Sequence, residues 1–362
     1  MREFRNKIQL LVLAVLASGL VWAGNDERAG QAGAQHLLVN PWSRSSGMGG
    51  AGSVMITGLE AIDLNVAGLA EVRKLEINFS HRDWLGSSSG IDINSLGVAS
   101  HVGESGVIGL SFMSMSFGDI ENTTVNLPEG GQGTFSPLFF NLALSYAKQF
   151  SSRINGGLTF RVVHEEITNV QANGIALDAG VSYTTGINDE IKFGIALKNV
   201  GPAMVYRGSG LTTLGEIPGS GRPITQEQRS QQYELPSLLN IGLSYDLLFE
   251  MVEDSLERGI RAMHRITPAF TFTSNSFTPD LFAIGAEYAF KEMFMGRLGY
   301  VIEGREGVSG LGSNALTGLS MGVTVAYPMS KKKGSGTAAI DFSWQQTENF
   351  GGITSFGLKL NL

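Results

Sequence analysis

The stretch Ile191-Lys192-Phe193-Gly194-Ile195-Ala196-Leu197-Lys198 carries a large apolar side chain at every second position. Successive side chains of a β-strand point to opposite faces, so this alternation predicts a strand with one apolar face and one small or polar face. Similar segments recur from residue 75 to the last residue, and most have the roughly 9–13 residues that let a tilted strand cross a bilayer. The predicted strands begin near Leu75, Ile91, Gly106, Phe139, Ile154, Gly174, Ile191, Tyr233, Ala262, Leu281, Met293, Leu319, Ala338 and Ile353.

The composition agrees with strands that face lipid. Glycine accounts for 48 of the 362 residues, charged residues for 16% and hydrophobic residues for 43%. The charged fraction is below the ~25% of soluble domains, whereas the hydrophobic fraction is too high for a disordered chain. After residue 23 no apolar run is long enough for a spanning helix, so only a closed barrel could satisfy every backbone amide inside a membrane. We therefore predict an all-β fold, a 14-stranded antiparallel transmembrane β-barrel.

The predicted links differ in length in a regular way. The longest of them, residues 118–138, 201–232 and 303–318, all follow odd-numbered strands, whereas very short links such as 103–105 follow even-numbered strands. Two links after even-numbered strands, 250–261 and 328–337, are longer. Bacterial outer-membrane barrels have an even number of strands, short periplasmic turns and longer extracellular loops. The pattern therefore predicts a bacterial outer-membrane location.

The N-terminus has the features of a secretory signal. The first residues, up to Lys7, carry Arg and Lys side chains, and a nearly charge-free run from Ile8 ends in Val21-Trp22-Ala23. This order of charged, apolar and small residues is typical of a signal peptide, here cleaved after Ala23. The alternative is a retained anchor helix, but the run is shorter than the ~20 residues that span a membrane. We predict that residues 1–23 direct export through the Sec pathway.

Residues 24–71 precede the first strand, lack sustained alternation and are rich in glycine. A 14-stranded barrel is wider than the packed core of an eight-stranded one, so its lumen must hold water, a ligand or a plug. Because glycine lets a chain fold tightly and lie close to a wall, we predict that residues 24–71 form a hatch inside a barrel of residues 72–362. A loose periplasmic tail is the alternative. The candidate hatch residues are Pro41, Trp42, Arg44, Gly47, Gly49, Gly50, Asn65, Gly68 and Leu69.

Several charged side chains fall on predicted inward faces of strands. They could pair with one another or with the hatch, or they could line a water-filled lumen, and both interpretations stay open. These residues are Arg161, Asp178, Lys192, Lys198, Glu287 and Arg297.

Two motifs in the predicted hatch resemble those of a known family. Ser46-Gly47-Met48-Gly49-Gly50-Ala51 and Asn65-Val66-Ala67-Gly68-Leu69-Ala70 are similar to the glycine-rich run and the Asn-Pro-Ala-Gly-Leu-Ala motif of FadL-like barrels, with Val66 in place of the usual proline. The stretch 26–47 resembles the PorV/PorQ branch of that superfamily, whose members are 14-stranded outer-membrane barrels of the Bacteroidetes type IX secretion system. The motifs cover only the N-terminal part of the chain.

The resemblance implies a non-enzymatic accessory protein of type IX secretion, with no cofactor and no metal. Its implied partners are secreted cargo with a C-terminal sorting domain and proteins of the translocon or attachment complex, besides outer-membrane lipid. The expected contact surfaces are links 118–138 and 201–232. The alternative function is transport of hydrophobic small molecules, as in other FadL-like barrels.

A third hypothesis is an outer-membrane hydrolase that pairs His81 or His101 with a serine. The net charge of −7 argues against a nucleic-acid partner. The chain has no cysteine, which excludes disulfides and thiolate metal sites.

Overall fold

The structure is a computed structural model that describes residues 28, 30–86, 89–216, 219, 221–254, 259–304, 314–330, 336–348 and 350–362. The predicted signal peptide, residues 1–23, lies outside this part of the chain. Within it, no helix is both long and apolar enough to cross a membrane.

The described residues form a closed barrel of fourteen antiparallel strands, which confirms the predicted fold class. Each strand pairs with the next along the chain, and the last strand pairs with the first, with Phe79 opposite Leu358. The strands are β1 (Leu75–Trp84), β2 (Ile91–Val102), β3 (Gly106–Ser116), β4 (Leu138–Ser151), β5 (Ile154–Ile167), β6 (Val170–Thr185), β7 (Ile191–Val200), β8 (Leu238–Tyr245, continued by Leu247–Asp254), β9 (Gly259–Asn275), β10 (Leu281–Phe290), β11 (Phe294–Glu303), β12 (Gly318–Pro328), β13 (Thr337–Gln345) and β14 (Ile353–Asn361).

Most strands begin within one residue of the predicted position, and β6, β8 and β9 deviate more. β8 begins at Leu238 because Tyr233, its predicted start, forms an isolated bridge with Met204 at the mouth of the barrel. Pro236 lies between Tyr233 and Leu238 and lacks the backbone N–H that a strand ladder requires. The alternation around Tyr233 therefore reflects a short bridge in a link and not a barrel strand.

β8 is interrupted at Asp246. Ser244 pairs with Ala269, and pairing resumes with Leu247 opposite Ile266. Between these pairs lies Pro268 of β9, which cannot donate to the ladder. Beyond the interruption, Leu247–Asp254 pairs only with β9, so this part of β8 forms a two-stranded extension past the end of β7.

The two ends of the barrel differ in the length of their links. One end, called here the long-link end, carries residues 117–137 and 201–237, and within each of these the described residues form a small hairpin: Ile120–Glu121 with Thr134–Phe135, and Thr212–Glu216 with Pro223–Glu227. The other end, the short-link end, carries links such as 103–105 and 152–153. The link 168–169 at the long-link end is also short.

The barrel has an apolar outside and a polar inside. Large apolar side chains stand exposed on the outer face, such as Leu96, Leu158 and Leu298. Alternate positions of the same strands point inward and bury polar groups, such as Thr159 and Arg297. A lipid-facing apolar band around a polar interior is the arrangement of a membrane-spanning barrel.

Residues 30–71, called here the inner segment, pack against the inward faces of the strands. In the described part of this segment the chain forms short elements only: 3₁₀ turns at Gln35–Leu38, Leu59–Asp63 and Val66–Glu71, and one α-helical turn at Ser43–Ser46. Apolar side chains that are fully buried, among them Met48, Leu59 and Leu69, give it a core shared with the wall.

Candidate functional site

A ring of inward-facing glycines provides the space in which the inner segment lies. If any of them carried a Cβ atom, that atom would lie between 2.2 and 3.1 Å from an atom of the inner segment, and real Cβ atoms keep at least about 3 Å from such neighbours. Within the described part of the chain ten strands contribute one such glycine each. This glycine belt consists of Gly97, Gly109, Gly157, Gly180, Gly194, Gly242, Gly285, Gly299, Gly322 and Gly357.

At three positions the belt brings backbone against backbone, and at the first of them a Cβ atom on Gly157 would lie 3.0 Å from the carbonyl oxygen of Val66. A Cβ atom on Gly299 would lie 2.3 Å from the carbonyl oxygen of Met48, and one on Gly322 would lie 3.0 Å from the Cα atom of Gly47. A side chain can rotate away from a clash, whereas a peptide group held on both sides cannot. Part of the high glycine content of the sequence therefore has a structural cause in this close approach.

The predicted hatch glycines have different roles. Gly47 lies against the belt, and Gly49 and Gly50 have positive φ angles of 60° and 90°, which shape the turn after the helical turn Ser43–Ser46. Gly68 packs inside the segment, where a Cβ atom would lie 2.6 Å from the carbonyl oxygen of Ile56.

Asn65 connects the inner segment to the wall. Its Oδ1 accepts from the backbone N–H of Ala67 at 3.1 Å and so caps the turn Val66–Glu71. Its Nδ2 donates to the carbonyl oxygen of Val181 on β6 at 3.1 Å. The predicted hatch residues Pro41 and Leu69 are both buried.

A first ionic anchor joins the inner segment to β5, β6 and β7. Arg161 Nη2 lies 3.0 Å from Asp63 Oδ1 and 3.0 Å from Asp178 Oδ2. Lys198 Nζ donates to the carbonyl oxygen of Asp63 at 2.5 Å, and Trp42 Nε1 donates to Asp63 Oδ2 at 2.8 Å. All five residues are buried, so Asp63 ties the predicted inward charges to the predicted hatch residue Trp42.

A second ionic anchor joins the inner segment to β9, β10 and β11. Glu287 of β10 is completely buried, and its Oε2 accepts from Arg297 Nε at 2.5 Å. Arg265 Nη2 donates to Glu287 Oε1 at 2.7 Å, and Arg44 Nη2 of the inner segment lies 3.6 Å from Glu287 Oε2. Lys192, also predicted to face inward, pairs instead with Asp246 at 3.1 Å.

Contacts from β1 and β14 were missed by sequence reasoning. Arg82 Nη1 donates to Ser46 Oγ at 2.7 Å and also to the carbonyl oxygen of Asn40. Glu76 Oε1 accepts from the backbone N–H of Leu59 at 2.9 Å and lies 2.8 Å from Lys359 Nζ. The alternation of β1 predicts that Glu76 and Arg82 face inward. The sequence does not indicate which residues they contact there.

A cluster of apolar side chains, called here the vestibule, lies at the long-link end, next to the inner segment. Val39 of the segment is buried there against Ile93, Met113 and Met115, and four half-buried side chains surround this cluster. Methionine is flexible and polarisable, so such a lining can adapt to apolar molecules of different shape. The four half-buried residues are Trp84, Ile91, Phe117 and Phe139.

His81, one of the two histidines considered for hydrolysis, contacts an amide oxygen and a carboxylate. His81 Nδ1 lies 2.9 Å from Asn94 Oδ1, and His81 Nε2 lies 3.5 Å from Asp83 Oδ1. His81, Asp83 and Asp92 bring potential ligand atoms within 4.8 Å of one another, on the face of β1 and β2 that points away from the inner segment.

Among the cavities formed by described residues are two apolar grooves on the outer face of β8–β13. Their volumes are about 430 and 650 Å³, and they share Ala286 and Leu298. Small outward side chains, such as Ala286 and Gly296, leave these depressions in an otherwise bulky apolar surface.

The comparisons with known proteins agree with this architecture. No protein-family profile matches the chain, and no curated protein matches it by sequence. Solved structures do match. The match to the CymD monoaromatic hydrocarbon channel covers 97% of that protein and 89% of this chain, with 12% identity and a TM-score of 0.55. The toluene transporter TodX of Pseudomonas putida has the same coverage, with 13% identity and a TM-score of 0.52. At this identity the likeness shows the fold alone, and the chain therefore shares the barrel fold of these hydrocarbon channels.

Proposed function

We propose that this protein is an outer-membrane channel for hydrophobic small molecules, with the inner segment as its hatch. The observation that carries the proposal is the vestibule, where Trp84, Phe117 and Phe139 surround a methionine-containing apolar cluster that ends on Val39 of the inner segment. An apolar cluster at this end of the barrel, in contact with the inner segment, suits a molecule that leaves water before it passes.

The links support the orientation that this function needs. Outer-membrane barrels place their longer loops outside the cell and their short turns in the periplasm. The long-link end, with residues 117–137 and 201–237, is then external, and the vestibule residues lie at the end of the barrel that faces the medium. This assignment agrees with a chain exported by an N-terminal signal.

Passage requires movement of the inner segment. The glycine belt brings it into direct contact with strands around the barrel, and the two ionic anchors fix it to β5 and β10. Apolar molecules gain about 25 cal/mol per Å² of apolar surface removed from water, so the vestibule can collect them before the hatch moves. Nothing in this scheme makes or breaks a covalent bond, and the structural relatives are likewise channels.

The test is uptake of labelled toluene by cells that express the protein in a host lacking its own hydrophobe transporters. Expression should raise uptake, and Phe139→Ala should lower binding to the purified protein by about tenfold, because an aromatic contact worth roughly 1.5 kcal/mol is lost. Phe150→Ala is the matched control, since Phe150 is exposed at the short-link end of β4. Equal uptake with and without the protein would refute the channel function.

A second candidate is the accessory role in type IX secretion. It is favoured by the resemblance of the stretch 26–47 to the PorV/PorQ branch, and by exposed apolar side chains on the long links, such as Val125 and Leu214. These surfaces would contact the C-terminal sorting domain of cargo or a partner barrel. A deletion strain that still secretes and anchors its cargo normally would exclude this role.

A further inference from the structure

The base of the link 201–237 forms a chain of β-bridges from the barrel wall to the inner segment. Gln171 of β6 exchanges hydrogen bonds of 2.8 and 2.9 Å with Arg207, and Met204 exchanges bonds of 2.9 and 3.0 Å with Tyr233. Ala32 then pairs in parallel with Glu234, and the N–H of Gly33 donates to the carbonyl oxygen of Glu234 at 3.0 Å. The start of the inner segment is thus hydrogen-bonded along the edge of the small set of bridges that the link forms.

A buried carboxylate joins the same three parts of the molecule. Glu165 of β5 is only 3% exposed, and its Oε2 accepts from Tyr206 Oη at 2.7 Å and from Tyr233 Oη at 2.6 Å. His36 Nδ1 of the inner segment lies 3.3 Å from Glu165 Oε1. Burial raises the pKa of both tyrosine hydroxyls, and the neighbouring carboxylate raises it further, so both remain protonated donors.

Packing around this carboxylate leaves little freedom. The ring of Tyr233 covers Gly33 so closely that a Cβ atom there would lie 2.1 Å from a ring carbon. The ring of His36 lies 5.6 Å from that of Phe139, so the group also adjoins the vestibule. Nearer to solvent, Arg28 Nη2 pairs with Glu234 Oε1 at 2.6 Å.

We propose that these contacts form a latch, made of Glu165, His36, Tyr206, Tyr233 and the Ala32–Glu234 bridge, by which the link 201–237 holds the hatch shut. The ionic anchors lie deep in the lumen, whereas the latch lies at the mouth and is continuous with a surface link. A molecule or protein that displaces the link releases the N-terminal end of the inner segment first. The inference concerns what controls the hatch, so it holds whatever the channel passes.

A reversible cross-link tests the latch in the intact protein. The chain has no cysteine, so Ala32→Cys with Glu234→Cys introduces a single pair. Neighbouring strands lie about 5 Å apart, within the range of a disulfide. In planar lipid bilayers, we expect the oxidised pair to show about tenfold fewer ion-conducting openings than the same sample after reduction. The pair Thr212→Cys with Glu227→Cys, opposite each other in the hairpin of the link, is the control and should be insensitive to oxidation.

Weakening the latch should have the opposite effect. Glu165→Gln removes the charge that holds the two tyrosines, so it should increase the openings and the rate of tryptic cleavage after Arg44. The cleavage rate can still be measured if the conductance of the channel is too small to record. If oxidation of the Ala32–Glu234 pair changed neither openings nor cleavage, the latch would be refuted. If latch variants behaved as expected while toluene uptake were absent, the proposed substrate would fail and the latch would stand.

Discussion

Asp63 Oδ1 of the inner segment lies 3.0 Å from Arg161 Nη2 of β5, and both side chains are buried. The other carboxylate oxygen of Asp63 accepts from Trp42 Nε1 at 2.8 Å. One carboxylate therefore holds the segment to the wall and also holds two parts of the segment to each other. Breaking a buried ion pair by removing one partner is costly, because the remaining charge is left unpaired.

Asp63→Asn should destabilise the closed barrel. The variant keeps an acceptor for Trp42 but loses the charge opposite Arg161, which retains Asp178, so we expect a loss of about 2 kcal/mol in the free energy of unfolding. The readout is the temperature at which the folded band disappears on a detergent gel. Asp119→Asn, in the exposed link 117–137, is the control, and equal temperatures for both variants would contradict the anchor.

Gly299→Ala should displace the inner segment. Its new methyl group would meet the Met48 carbonyl at 2.3 Å, and neither backbone can move aside without shifting the segment. Gly296→Ala is closely matched, since Gly296 lies on the same strand and a methyl group there would meet no atom within 4 Å. We expect faster tryptic cleavage after Arg44 in the first variant only. Cleavage at the same rate in both would argue against the belt.

Glu287→Gln should cost more stability than Arg44→Gln. Glu287 is shared by Arg44, Arg265 and Arg297. Its loss leaves the buried Arg297 without its carboxylate, whereas Arg265 keeps Glu292, and we expect a cost of about 3–5 kcal/mol. Removing Arg44 leaves Glu287 with two arginine partners, and the expected loss is about 1 kcal/mol. Urea unfolding in detergent compares the two variants. The reverse order would show that Glu287 is not the centre of the anchor.

The latch should persist from neutral to alkaline pH. Raised pKa values of Tyr206 and Tyr233 mean that the protonated, donating form is favoured in the folded state. Its contribution is fully present below the unfolded tyrosine pKa of about 10 and is lost only as the pH rises through the higher folded value. The rate of tryptic cleavage after Arg28, relative to that of an unfolded substrate, should therefore be the same at pH 7 and pH 9. Tyr233→Phe should be cleaved faster at both values.

Alternation predicted the strands well because the two faces of each strand meet lipid and a polar interior. The same rule marked Arg161, Asp178 and Glu287 as inward-facing, and the structure places them in the anchors. Asp63 carried no such signal, since it ends a 3₁₀ turn without periodic pattern. Its partner Arg161 lies on a strand that only barrel closure brings near, and no local rule gives that distance.

At Tyr233 the sequence pattern predicted a barrel strand that the structure does not contain. Its alternating neighbours do form β-bridges, but with Met204 and the inner segment. A strand-like sequence pattern predicts an extended backbone, but it does not predict which segment that backbone will pair with. The interruption of β8 is similar, because Pro268 is visible in the sequence whereas its position beside that interruption depends on register.

The contact between Ser43 and β14 links the inner segment to the closure of the barrel. Ser43 Oγ donates to the carbonyl oxygen of Ser355 at 3.1 Å, and Gly357 of the same strand belongs to the belt. Residue 43 is synthesised before residue 355, with about 300 residues between them. The final contacts of the inner segment are therefore completed only when β14 is in place, so the seating of this segment and the closure of the barrel are coupled.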